Sequence, residues 1–304
     1  MKRCFSLGLP LVIGLGLIGS TTACTQTSTT ASSAPVAPTP PQPLQYKVYS
    51  LPHSKIHTLV IPAGSTYEVT AAIAPDVQPL ATFAQQHQAI AVLNGGFFDP
   101  VNGKSTSHVV LAGKQVANPQ DNERLIQNPD LIPYLPLILN RSELRNYRCA
   151  GQIRYEISRH DKPIPPGCEL LMALGAGPQL LPQNTSVQEG FMAYSGETIT
   201  RDSLGSLYPN ARSAIGLKAD GSLVWLMVAE RSDANQPGGL SLPELAQFMQ
   251  SLGVVKGMNL DGGSSASFYY QGQTHFGKLN ASGEPVQRPV KSVLLLNQTG
   301  ASTR

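Results

Sequence analysis

Most of this chain alternates apolar and polar residues in short runs, and only one stretch carries a full helical period. The alternation predicts strands at 45–49, 57–62 and 65–74, so the folded part begins near Leu44. Asp76 is placed to cap a helix through Leu80, Phe83, Ala84 and His87. The apolar run 89–93 follows and stops at Asn94-Gly95-Gly96-Phe97-Phe98-Asp99-Pro100. Gly113-Lys114, between Val109-Val110-Leu111 and Gln115-Val116, predicts a hairpin, as does Asp220-Gly221 between 213–218 and 222–229. The helical period lies at 241–253. Ser241 and Glu244 form a capping box, Pro243 sits in the first turn, and Leu242, Leu245, Phe248, Met249 and Leu252 make the buried stripe that Gly253 ends. The next strand runs from Lys256 into Asp261-Gly262-Gly263-Ser264-Ser265. Two stretches have no period. Residues 118–169 hold many prolines and are expected to form an irregular insertion, and the polar segment 184–206 a surface loop.

Composition changes the picture mainly at the N-terminus. Lys2 and Arg3, a short apolar run over 7–19 and a small-residue exit over 20–23 read as a secretory signal, domain 1–24. Cys24 after Thr21-Thr22-Ala23 resembles a bacterial lipoprotein cleavage site, with Thr21 in place of the usual leucine. Residues 25–43 are almost all Thr, Ser, Ala, Pro and Gln and cannot bury a core, which suits a tether. A lipid-anchored protein of the cell envelope, periplasmic or extracellular, is the expectation, and free secretion the alternative. Two of the positive charges behind the net +3 lie in the signal, so the remainder is near neutral and carries no nucleic-acid footprint. With Cys4 removed and Cys24 lipidated, Cys149 and Cys168 are expected to pair as a disulfide.

The candidate chemistry lies where the strand after the capped helix ends. Asp261 stands there, two glycines let the backbone turn sharply, and three serines with loop N–H groups offer contacts to an anion or sugar hydroxyl. A polar hairpin turn is the plain alternative. Gly262-Gly263-Ser264-Ser265-Ala266 lacks the last glycine of a nucleophile elbow, which argues against a serine hydrolase. The six histidines are scattered with no metal-ligand pair, so no cofactor is expected; a divalent cation beside Asp261 is left open, without a ligand set to support it.

Five motifs in order then give a resemblance: Asn94-Gly95-Gly96-Phe97-Phe98, Gly175-Ala176-Gly177-Pro178, Ala211-Arg212-Ser213-Ala214-Ile215-Gly216, Leu242-Pro243-Glu244-Leu245-Ala246 and Asn259-Leu260-Asp261-Gly262-Gly263-Ser264-Ser265. Together they resemble the phosphodiester glycosidase family over roughly 69–296. The resemblance implies a single α+β catalytic domain over 44–304, with a mixed β-sheet core packed by a few helices. It implies hydrolysis of the bond between a sugar anomeric carbon and a phosphodiester oxygen. Asp261 would be base or nucleophile, Arg212 and Arg288 phosphate clamps, and Asn94 a contact to a sugar hydroxyl. Glu230 and Asp99 are further carboxylates, and Gly95, Gly96, Gly262, Gly263, Ser264 and Ser265 would line the substrate. A phosphate is already a good leaving group, so stabilising its charge matters more than protonating it, and arginine's planar donors suit that task. Two features depart from the family pattern: Ala229-Glu230-Arg231 stands where acidic-Gly-Arg is usual, and the loop after Asp261 is one glycine short. A non-catalytic envelope lipoprotein that binds glycans is the rival reading.

Overall fold

A computed structural model describes residues 42–232 and 238–299, so the signal segment, Cys24 and nearly all of the tether lie outside the described residues. Three antiparallel sheets make the body. The first has six strands, in the order Gln45–Ser50, Ser54–Ile61, Leu223–Glu230, Arg212–Lys218, Val254–Asn259 and Gln179–Leu181. The second has five, in the order Gln273–Phe276, Ser267–Tyr270, Ala91–Asn94, Val290–Gln298 and Tyr67–Gln78. The third also has five, in the order Lys114–Ala117, Val109–Leu111, Cys168–Gly175, Ser142–Cys149 and Gln152–Arg159. The fold is α+β, a sheet-rich core with few helices, and every pairing within the sheets is antiparallel.

The alternation in the sequence decides which side each residue serves, because successive strand side chains point to opposite faces. On Leu223–Glu230, Leu223, Trp225, Met227 and Ala229 enter a core shared with the second and third sheets, through Leu93, Leu294, Leu144 and Leu174. Val224, Leu226 and Val228 face the other way and meet Leu242, Leu245 and Met249 of the helix Leu242–Ser251. That helix has the reciprocal capping box of Ser241 and Glu244, and Gly253 after it takes φ +80°. A second helix, Leu80–His87, lays Leu80, Phe83 and Ala84 on the outer face of the second sheet. Both helices feed directly into strands that end at the candidate site.

Three local expectations need correcting. Asp76 does not cap a helix: the strand Tyr67–Gln78 runs through it, and the helix starts after Pro79 with no side-chain cap. Residues 118–169 are irregular only in their first half, since Ser142–Cys149 and Gln152–Arg159 form a regular hairpin. Its pattern is hidden because the buried face carries Glu143 and Arg145, which pair with each other at 2.5 Å. The segment 184–206 is likewise no plain loop: it holds the hairpin Met192–Ser195 and Thr198–Asp202 and the fully buried Glu189. Cys149 and Cys168 form the expected disulfide, facing each other on adjacent strands.

Candidate active site

Two helix–strand–loop units converge although their strands belong to different sheets. Ala91–Asn94 ends in Gly95-Gly96, and Val254–Asn259 runs through Leu260 into Asp261-Gly262. The Asp261 N–H donates to the Gly95 carbonyl at 3.0 Å, and Asn94 Nδ2 donates to the Asp261 carbonyl at 2.6 Å. Asn94 Oδ1 accepts from the Ser213 hydroxyl at 2.6 Å and the Ser267 N–H at 3.1 Å. Asn94 is therefore a fully buried brace beneath the loop, not the contact to a sugar hydroxyl expected from its motif. Gly96 must be glycine, because a Cβ there would lie 2.3 Å from the Gly175 carbonyl oxygen. Through that approach the Gly175-Ala176-Gly177-Pro178 motif supports the site, and Gly177 N–H also donates to the Asn259 carbonyl at 2.9 Å.

Asp261 is held half-buried at this junction. Desolvation pushes its carboxyl up to about 6, against the opposing pull of a Ser265 hydrogen bond, the Arg288 charge and the Gly262 N–H. A carboxyl poised there can be ionised at neutral pH and still exchange a proton, as acid–base and nucleophilic roles require. Arg288 is the cation beside it. Its Nη1 donates to the Ser264 hydroxyl at 2.8 Å, and its guanidinium lies 5.0 Å from the centre of the Phe98 ring. Arg288, Ser264, Ser265 and Asp261 thus come together as the sequence suggested.

Other expected groups do not join them. Arg212 is 2% exposed and spends its donors on four carbonyls: Leu240, Leu204, Gly205 and Tyr208, all at 2.8–3.0 Å. It packs beneath Gly262 and braces the neighbouring loop, so it is no phosphate clamp. Three of the loop N–H groups are engaged within the protein as well. Those of Gly263, Ser265 and Ala266 donate to Ala211, Gly262 and Gly263, with Gly263 at φ +57°. Glu230 has both oxygens engaged, by Lys278 Nζ at 2.6 Å and the Leu279 N–H at 3.0 Å. Lys278 also reaches Asn210 Oδ1 at 3.4 Å, and the Asn210 side chain borders Gly263, so Glu230 is tied to the rim of the loop. Beyond Glu230 opens a cleft of about 810 Å³ that His57 and His275 also line, a volume in the range of ligand sites. Asp99 lies apart, paired with Arg124 at 2.9 Å.

Sequence reasoning missed Lys278 and Asn210, which lie outside every motif, and Phe98, which was quoted in a motif without a role. Ser213 and Ser267 were missed as braces because their value lies only in meeting Asn94 across two sheets. Among the described residues no three His, Cys, Asp or Glu side chains converge to hold a metal ion.

Comparison with known proteins bears on this geometry. No curated protein matches the chain. The fold is shared with the catalytic domain of zebrafish N-acetylglucosamine-1-phosphodiester alpha-N-acetylglucosaminidase, auto-inhibited by its pro-peptide. The TM-score is 0.61 at 16% identity, covering 86% of this chain and 85% of that one. A hypothetical protein from Synechocystis has a TM-score of 0.54 at 18% identity; the alignment covers 83% of this chain but only 61% of that protein. Residues 87–297, which include Asn94, Asp261, Arg288 and Glu230, match the phosphodiester glycosidase family, and the chain belongs to that family.

Proposed function

We propose that this protein hydrolyses the glycosidic bond of a sugar-1-phosphodiester in the cell envelope, with Asp261 as the reacting carboxylate. One observation carries the reading: in a member of this family, a desolvated carboxyl raised to about 6 stands within the field of a partly exposed arginine at the end of a buried strand. Asp261 acts on the anomeric carbon, either by direct attack or by activating water, and stabilises the oxocarbenium-like state. Arg288, oriented by Ser264 and Phe98, takes up the charge that grows on the departing phosphate. Because that phosphate leaves as an anion, a dedicated proton donor is not required, which agrees with Glu230 being committed to Lys278. Glu230, held by Lys278, instead lines the cleft beyond it.

The test is turnover. The mature protein is incubated with a panel of glycosyl phosphodiesters, beginning with the methyl phosphodiester of N-acetylglucosamine-1-phosphate, and release of free sugar is measured. Release from at least one member supports the reading. Binding without release across the panel would favour a glycan-binding envelope protein.

A further inference from the structure

The cleft beyond Glu230 lies where two sheets meet, and the chemistry assigned to Asp261 leaves it unused. Lys55 and His57 reach it from the strand Ser54–Ile61 of the first sheet. Gln273, Thr274 and His275 reach it from the strand Gln273–Phe276 that edges the second. The His57 and His275 rings stack across the seam with their centroids 4.2 Å apart. Lys55 and His57 lie outside the residues 87–297 that match the family.

His57 is only 5% exposed, packed among Tyr46, Phe268 and His275. The Tyr46 hydroxyl meets its Nδ1 at 2.7 Å and has no other partner among the described residues. The phenol therefore donates, which leaves the imidazole hydrogen on Nε2. Nε2 has no partner among the described residues either, yet it is not sealed from solvent. The His275 ring likewise makes no hydrogen bond among them, and Lys55 Nζ neither a hydrogen bond nor an ion pair. Donors so far removed from water are normally satisfied, because leaving them unpaired costs more than a hydrogen bond returns.

The cleft is also short of negative charge. Glu230 is the one carboxylate among the described residues that line it, and Lys278 and the Leu279 N–H occupy its two oxygens. Burial, His275 and Lys55 lower His57 to about 4, and burial and Lys55 lower His275 as well. Both rings are therefore uncharged donors beside an unpaired ammonium at neutral pH. The other titratable or charged groups around them are Tyr46, Tyr270, Arg231 and the Glu230–Lys278 pair. One ammonium and two ring donors match a singly charged, planar carboxylate. A volume of about 810 Å³ is far more than a carboxylate alone would fill, and Gln273 and Thr274 add an amide and a hydroxyl to the wall. We infer that this cleft binds an acidic sugar, with its carboxylate against Lys55, His57 and His275 and its hydroxyls against Gln273 and Thr274. The inference does not depend on what Asp261 does.

Calorimetry tests it on the full mature protein and on Lys55→Gln and His57→Gln, with circular dichroism as the check on folding. Galacturonate stands for a free acidic sugar, trigalacturonate for a unit within a chain, and maltotriose is the uncharged control. The wild type should bind at least one of the two acids, and maltotriose about tenfold more weakly or worse. Lys55 is exposed, so Lys55→Gln should fold normally and still lose roughly tenfold or more in affinity for the acid. A bound anion favours protonated imidazoles, so wild-type affinity should rise about threefold or more from pH 8 to pH 6, and less in His57→Gln. A further measurement needs no variant: diethyl pyrocarbonate should label His275 readily in the free protein and slowly once the acid is bound. No binding of either acid, equal binding of maltotriose, or unchanged affinity in a folded Lys55→Gln overturns the inference. Binding through Lys55 in a protein that cleaves no glycosyl phosphodiester supports the inference and counts only against the hydrolase reading.

Discussion

The Asn94 side-chain amide donates to the backbone carbonyl of Asp261 at 2.6 Å, joining the end of a strand in one sheet to the loop that ends a strand in another. Asn94 is 0% exposed, and its carbonyl oxygen holds Ser213 and Ser267 as well. The position of Asp261 is therefore set by a brace across two sheets rather than by the glycine loop alone. Arg288, Ser264 and Lys278 beside this brace are partly exposed.

Arg212 belongs to the same bracing. Replacing it with alanine leaves four carbonyls without their donors, and a loss of about 3–5 kcal/mol is expected, as for breaking one side of a buried charged network. Thermal and urea unfolding should show that loss, and Arg212→Lys should rescue little of it because one ammonium cannot span the four acceptors. Full stability with a raised KM would restore Arg212 to the substrate.

The acid side of the pH–rate profile should report Asp261. Its carboxyl lies near 6 in the folded protein, so kcat/KM should fall about tenfold per pH unit below that value. Arg288 holds this pKa down, so Arg288→Gln should move the acid limb to higher pH as well as lower the rate. An acid limb unmoved by the substitution would mean that another group titrates.

These two arginines show what could be read from the chain and what could not. The helix Leu242–Ser251 was legible because its capping box and apolar stripe are local signals, and the site loops because glycines and polar residues cluster after apolar runs. Residue type alone could not tell a brace from a contact. Arg212 and Arg288 lie in equally suggestive surroundings, yet one turns to buried carbonyls and the other to Ser264. The hairpin at 142–159 was hidden because its buried face carries a paired Glu143 and Arg145 where apolar residues are the usual sign. Lys278 and Asn210 reach the site through tertiary packing, so no local pattern marked them.

Stability should move opposite to activity at Asp261. Its raised carboxyl pKa means that folding is penalised wherever the group must be ionised. The penalty is full above about 6 and disappears as pH falls below the unfolded value near 3.8. Asp261→Asn should therefore stabilise the protein at pH 7.5 by about 1–2 kcal/mol and give no gain at pH 3.5. Equal unfolding midpoints for the two proteins at pH 7.5 would show that the carboxylate is not desolvated as described.

Anchoring to the membrane is a separate proposal, resting on the signal-like segment, Cys24 and the Thr/Ser/Pro-rich stretch after it. Cys24→Ser should move the protein from the membrane fraction to the soluble fraction of the envelope, and mass spectrometry of the wild type should find lipid on Cys24. Retention of Cys24→Ser in membranes would count against the anchor.

The central claim is that Asp261 performs the chemistry, and the direct measurement is single-turnover hydrolysis of a glycosyl phosphodiester by Asp261→Asn. The substitution is nearly isosteric and leaves the two backbone bonds, to Gly95 and from Asn94, in place. It removes the charge that would attack or stabilise the anomeric carbon, so the rate should fall by about 10³-fold or more, while a folded variant still binds inorganic phosphate like the wild type. A folded Asp261→Asn that cleaves the substrate within a few-fold of the wild-type rate would contradict the account.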